Sequence, residues 1–320
     1  MNVTVNVIYT RGTVAALGRF APLLTEHTPW SYRLIANGCP PAEVALLHGI
    51  AADHDRLDVH DLRTGEVLPH GKTLCRLADT FRDDEFFAFM DNDIIVTGDV
   101  TEALTALLAR NDAVFTGAAI WARPQDAILT SAHREVCGPH THTPDGLLLG
   151  SSYAGIFRRD ALDAVQRRCK VTLDKYTTAD LSSLDPAFLA FLDTHDLIRH
   201  DYTPPKLLTL GFAFDRRPTA YIDLADLHHI GGYSMATYQR QVDAGTVTAA
   251  PGTVAEILDF SDTRSHMPRK RAVCDRVLRS FAAIDATGRP CRDGDPLPAD
   301  IEAEVRLIED LYAAQAHLVP

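Results

Sequence analysis

Apolar and polar residues alternate from the first positions, MNVTVNVIYT, and this period of two predicts a β-strand over residues 3–9. The next stretch, GTVAALGRFAPLLTEH, changes period: Val14, Leu17, Phe20, Leu23 and Leu24 fall near helical spacing. The order then repeats. YRLIANG reads as strand, PAEVALLHGIAADH as helix with Pro40 and Pro41 at its entry, RLDVHDL as strand and KTLCRLADTFRDD as helix. EFFAFMDNDIIV follows as strand, DVTEALTALLARN as helix with Asp99 and Thr101 available as caps, and DAVFTGAAIW as strand. Alternation of this kind predicts an α/β fold, with a mostly parallel central sheet, helices on both faces, and ligands bound at the carboxyl ends of the strands.

After Trp121 the alternation stops. Residues 121–146, rich in His and Pro, are expected to form a long functional loop of the lid kind. LLLGSSYAGIFRR returns to strand, DALDAVQRRC to helix and DPAFLAFLDTHD to another helix, while LLTLGFAFD and TAYIDLADLHHIGG read as strands. From about residue 253 the pattern is mainly helical, carried by MPRKRAVCDRVLRSFAAI and PADIEAEVRLIEDLYAAQAHL. The expected organisation is one α/β domain over 1–250, with halves of about 1–120 and 121–250, and a C-terminal helical extension over 251–320.

Composition changes this picture little. The chain has 320 residues, 46% of them hydrophobic, enough for one large core. Its net charge of -12, with no basic block beyond PRKR at 268–271, disfavours nucleic acid as a partner. The strand-like N-terminus does not read as a leader, and no apolar run approaches the roughly 20 residues of a membrane-spanning helix. The six cysteines are scattered, as for reduced thiols, so a cytoplasmic location is expected.

The stretch FFAFMDNDIIVTGDV, residues 86–100, places Asp91, Asn92 and Asp93 inside an apolar run. Two aspartates one residue apart face the same side of an extended strand. Neighbouring carboxylates repel, and a divalent cation that prefers oxygen neutralises them. The EF-hand pattern is excluded, since Ile95 and Val96 stand where that loop needs a ligand and a glycine. A plain turn-capping role for the pair is the alternative. With LCRLADTFRDDEFFAFMDNDIIVTGDVTEAL around it, the pair resembles the Asp-x-Asp motif of GT-A (Rossmann-like) glycosyltransferases, among them the retaining family 8-like and family 2-like groups.

That resemblance implies the remaining site. HHIGGYS is similar to the family's His-x-Gly-Gly segment, giving His229 as a third metal ligand beside Asp91 and Asp93, with Gly231, Gly232 and Ser234 around the donor. GSSYAGIFRRDAL is similar to the strand that contacts donor sugar and acceptor, giving Ser151, Ser152 and Tyr153. Thr10 and Arg11 match the base and ribose position, Asp61 a further ribose or base contact, and Arg76 with Lys72 the basic helix that approaches the diphosphate. Asn92 is expected as a structural or sugar contact. Asp185 stands where inverting members carry the general base, although it also reads as a helix cap; Asp180 is its rival.

The implied activity is transfer of a sugar from a UDP- or GDP-linked donor to a hydroxyl or amine of a small soluble acceptor. The implied cofactor is Mn2+ or Mg2+, with the imidazole favouring Mn2+. A homodimer through the C-terminal helices is a further expectation. Three alternatives stay open. A sugar-1-phosphate nucleotidyltransferase would need a glycine-rich phosphate loop where only Gly12 and Gly18 stand, a binding protein would hold the nucleotide-sugar without turnover, and a zinc hydrolase would use His133, His140 and His142.

Overall fold

The computed structural model describes residues 1, 3–247, 266–292 and 296–316. The predicted alternation folds into strands β1 (Thr4–Thr10), β2 (Ser31–Asn37), β3 (Leu57–Asp61), β4 (Phe86–Asp91), β5 (Ile94–Val96), β6 (Ala113–Thr116), β7 (Glu135–Val136), β8 (Ala154–Arg158), β9 (Asp201–Tyr202), β10 (Thr219–Tyr221) and β11 (Leu227–His229). Seven of them form the central sheet in the order β10-β6-β8-β4-β1-β2-β3. Only β8 runs against its neighbours β4 and β6; the other pairings in this sheet are parallel. β5 and β11 pair antiparallel beyond the end of β4, and β7 pairs with β9.

The connecting helices are α1 (Val14–Leu17), α2 (Ala21–His27), α3 (Pro41–Ala52), α4 (His70–Thr80), α5 (Thr101–Leu108), α6 (Arg159–Cys169), α7 (Pro186–Thr194), α8 (Lys206–Phe214) and α9 (Tyr233–Asp243). Strand alternation divides the apolar side chains between the two faces of the sheet. Phe86, Ala88 and Met90 of β4 join one buried cluster with Leu17, Phe20 and Leu34. Phe87 and Phe89 join the other with Leu74, Leu77, Leu162, Val165 and Phe212 from α4, α6 and α8. The fold is therefore the mainly parallel, helix-covered sheet that the sequence implies.

Three local expectations change. LLTLGFAFD was expected as strand but lies in α8, where Lys206, Leu207, Leu208, Thr209, Leu210, Gly211 and Phe212 are all buried. A run that is apolar all round carries no period, and burial on every side suits a helix as well as a strand. EFFAFMDNDIIV breaks at Asp91 into β4 and β5. TAYIDLADLHHIGG splits into β10 and β11, which belong to different sheets.

The two C-terminal helices, Met267–Thr287 and Ala299–Ala314, share the core of the sheet: Val273, Phe281, Ile301 and Tyr312 belong to the same cluster as Leu17 and Phe20. Residues 251–265 of the expected extension lie outside the described residues. Phe281 stacks on Tyr312 with ring centroids 3.8 Å apart. The apolar faces offered for a dimer are thus used within the chain, and Leu307 is the one exposed large hydrophobic side chain on the described parts of these helices. Between the helices, the fully buried Glu309 accepts from Arg276 Nε at 3.1 Å, from Arg292 Nη1 at 2.7 Å and from the Ser280 hydroxyl. Glu309→Ala would leave the buried Arg276 with only Glu302, at 3.6 Å, and is expected to cost about 3 kcal/mol. Urea unfolding should show this as a lower midpoint at unchanged slope, with Glu309→Gln losing less.

Candidate functional site

β4 stops at Asp91, whose backbone N–H donates to Tyr153 O across the sheet at 2.8 Å. The chain turns through Asn92 and Asp93 before entering β5. The two carboxylates converge because of this turn, not because one extended strand shows them on one face. The turn is held from both sides: Asn92 Nδ2 donates to Thr13 Oγ1 at 2.8 Å, and Asn92 Oδ1 accepts from Ser234 Oγ at 3.2 Å. β11 then brings His229 opposite Ile94. The His229 Nδ1–H donates to Gly117 O at 2.8 Å, so the other ring nitrogen, Nε2, is aimed at the carboxylates without a proton of its own when the ring is neutral.

His229 Nε2 lies 3.2 Å from Asp93 Oδ1 and 4.0 Å from Asp91 Oδ2. One ligand atom from each of the three residues falls within 4.8 Å of the others, and among the described residues this is the only His, Cys, Asp and Glu group so arranged. The other oxygen of Asp93 accepts from the backbone N–H of Gly232 at 2.9 Å and of Tyr233 at 3.0 Å, at the start of α9. Gly231 and Gly232 take φ of +73° and +118°, so the backbone can curl its N–H groups onto that oxygen.

These surroundings split the two carboxylates. Burial, then the Asp93 charge, pushes Asp91 up to about 8. Burial also works against Asp93, but the His229 charge, the proximity of its ring and the two backbone N–H groups outweigh it and hold Asp93 down at about 2. Burial opposes protonation of His229, and Asp93 with Asp91 reverses that and raises it. Nε2 of His229 is buried and makes no well-directed hydrogen bond. Two carboxylates and an unmatched imidazole nitrogen form a donor set that fits Mg2+ or Mn2+.

No protein-family model matches the chain, and no curated protein matches it. Among solved structures, S. aureus TarS is 12% identical, spanning 99% of this chain and 90% of its own, with a TM-score of 0.44. Galactosyltransferase LgtC, in complex with donor and acceptor sugar analogs, is 11% identical over 78% of this chain and 98% of its own, with a TM-score of 0.37. Mouse xyloside xylosyltransferase 1 is 11% identical over 70% and 85%, with a TM-score of 0.38. A galactosyltransferase and a xylosyltransferase are thus among the solved structures that the chain is similar to. The likeness concerns the fold.

Around the Asp91, Asp93 and His229 cluster the structure sorts the other expected residues. Tyr153 packs its ring edge-on to His229 at 4.4 Å. Ser151 is buried and its hydroxyl accepts from Tyr153 N at 3.0 Å, while Ser152 Oγ meets Thr203 Oγ1 at 3.2 Å. Asn92, expected as a structural or sugar contact, and Ser234, expected at the donor, spend their polar groups on each other and on Thr13. Thr10 and Asp61 end β1 and β3, strands parallel to β4, and so share the carboxyl edge of the sheet with Asp91. Arg11 donates to Gly38 O and Gly65 O, both at 3.2 Å, tying together the loops that follow β2 and β3 at that edge.

Lys72 and Arg76 are exposed on α4, and Arg76 donates to Leu62 O at 2.9 Å. The residue of α4 that meets the cluster is His70, whose Nδ1 lies 4.0 Å from Asp91 Oδ1. At roughly 100° per residue, Lys72 and Arg76 are turned roughly 200° and 240° from it around the helix. Asp185 accepts from Ala187 N at 2.9 Å and Phe188 N at 3.4 Å as the cap of α7, and Asp180 accepts from Thr177 N at 2.7 Å. None of their hydrogen bonds reaches the cluster.

The expected lid is pinned at several points. The fully buried Lys206 donates to Gly138 O at 3.1 Å, to Gly150 O at 2.8 Å and to His140 O, and burial pushes its ammonium down to about 7. Arg269 donates to Trp121 O at 3.1 Å and pairs with Asp126. The histidines of the zinc-hydrolase alternative form no ligand cluster among the described residues.

Two side chains absent from the sequence-based site stand beside it: His70, whose signal was a Pro-His step at a helix start, and Lys270. Lys270 lies one turn before Cys274 on the buried stripe of its helix, and a lysine on an apolar stripe was the available sign.

Proposed function

We propose that the chain is a metal-dependent glycosyltransferase acting on a nucleoside-diphosphate sugar, UDP- or GDP-linked, with a hydroxyl or amine of a small molecule as acceptor. The observation that carries this reading is the meeting of Asp91, Asp93 and the unmatched Nε2 of His229 at the carboxyl edge of a mainly parallel sheet. Asp91, Asp93 and His229 would hold the cation, Mn2+ in preference to Mg2+ because one ligand is imidazole. When bound, it supplies positive charge for the departing diphosphate.

The chain's own residues do the positioning. Gly117 O fixes the His229 ring, Gly232 and Tyr233 N–H groups fix Asp93, and the ring of Tyr153 closes one side of the cluster. Thr10, Arg11 and Asp61 supply the base and ribose side of the same edge, and Ser152 the acceptor side. Asp185 is left as the cap of α7, so the acceptor's proton goes to another group or to solvent. The nucleotidyltransferase alternative is not favoured by any contact at Gly12 or Gly18.

A panel of nucleotide-sugars incubated with the protein and Mn2+, with free nucleoside diphosphate as the readout, tests this. Release from one donor that is quenched by chelator and by Asp93→Ala is expected. Release that ignores both, or nucleoside diphosphate binding that never needs metal, would sink the assignment.

A further inference from the structure

The helix Met267–Thr287 crosses the site at Gly232, the residue whose N–H binds Asp93. A Cβ on Gly232 would come within 2.4 Å of Lys270 Cε and 3.2 Å of its Nζ, so the lysine stem lies directly on the Asp93 cradle. Its Nζ is 3.3 Å from Met235 Sδ and 5.6 Å from the Trp121 ring centroid. Among the described residues no carboxylate is within 4.0 Å of it, and a thioether is a weak acceptor. Its charge nevertheless reaches Asp91, where it favours the ionised form.

An ammonium repels a cation held by Asp91, Asp93 and His229 and cannot ligate it. The two positive groups sit side by side stably when one anion lies across both. A phosphate meets that requirement, with oxygens enough for the metal and for the lysine hydrogens. We propose that Lys270 donates to the phosphate oxygens of the donor's diphosphate and so belongs to the site, although it comes from the C-terminal helix. This rests on the nucleotide-sugar reading above.

Titration calorimetry with Mn2+ alone, and with UDP and GDP in saturating Mn2+, separates the possibilities. Lys270→Met keeps the stem against Trp121 and removes the charge. It is expected to bind the preferred nucleoside diphosphate about 10–100-fold more weakly, the loss of one charge-assisted hydrogen bond or two. Mn2+ alone should bind it as well as wild type or better. Lys270→Arg should stay within about fivefold of wild type, since its charge is retained. If Lys270→Met binds the nucleoside diphosphate like wild type while Asp91→Asn has lost it, the role of Lys270 is overturned and the site reading stands. Equal loss of Mn2+ binding in Lys270→Met would also overturn it, showing a structural support. Wild type that binds neither UDP nor GDP with Mn2+ would instead remove the underlying reading.

Discussion

Asp91→Asn is expected to make the metal-free protein more stable at pH 8 while abolishing its binding of Mn2+. Asp91 is held at about 8 by burial and by the Asp93 charge, above its value in the unfolded chain. A carboxyl shifted up in this way contributes stability that is full below the ordinary carboxylate range, about 3.9, and is lost as pH rises through the folded value. The asparagine variant never pays this cost of ionisation, so its advantage should grow from pH 4 to pH 9. With a side chain still 28% exposed, the gain is about 2 kcal/mol, a few degrees in Tm. Asp93→Asn should behave in the opposite way. Its carboxylate is held at about 2, so it contributes stability above the ordinary range, and neutralising it at pH 7 should lower Tm. Melting curves of both variants across this range, with and without Mn2+, decide the matter. Shifts of the same sign in both would show that the pair is not polarised as described. In wild type, Mn2+ should bind more tightly as pH rises toward 8 and release protons as it binds, readable from calorimetry in buffers of different ionisation enthalpy.

Why these three residues were legible and others were not follows from what each depends on. Asp91 and Asp93 were marked by two charges in an apolar run, and His229 by the glycines after it; both are local signals. The convergence was foreseen on the wrong ground, since the period-two argument needs a continuous strand and the chain turns at Asn92. The sheet was legible because its strands alternate with helices of ordinary length. α8 was not, because burial on all sides removes the polar positions that would reveal a period. His70 went unmarked because helical phase is set by which residue meets β4, and that residue lay just before the segment read as helix. Lys270 depends on packing between a helix some forty residues downstream and the α9 turn. Sequence spacing puts the lysine on an apolar stripe but carries no trace of what it touches there.

Gly231→Ala is expected to damage both the fold and the site. At φ +73° an L-residue is strained, which alone costs about 1 kcal/mol. Its Cβ would also stand 2.4 Å from Ala119 Cβ and 2.7 Å from Trp121 Nε1. Neither neighbour can yield easily: Ala119 and Trp121 are buried, and the Trp121 N–H donates to Gly231 O at 2.7 Å. Overpacking of this kind adds about 1–3 kcal/mol, for a total of about 2–4 kcal/mol. The functional effect should be larger than the loss of stability suggests. Any shift of residue 231 moves the N–H of Gly232 off Asp93, raising that carboxylate's proton affinity and weakening the metal set. Gly245→Ala supplies the control, because Gly245 has φ +68° with no atom within 4 Å of an added Cβ. It should cost only the backbone strain, about 1 kcal/mol, and leave Mn2+ affinity unchanged. Chemical denaturation and Mn2+ titration of the two variants separate conformational strain from close packing. If Gly231→Ala proved no worse than Gly245→Ala by either measure, Trp121 and Ala119 would not be what holds the Asp93 cradle in place.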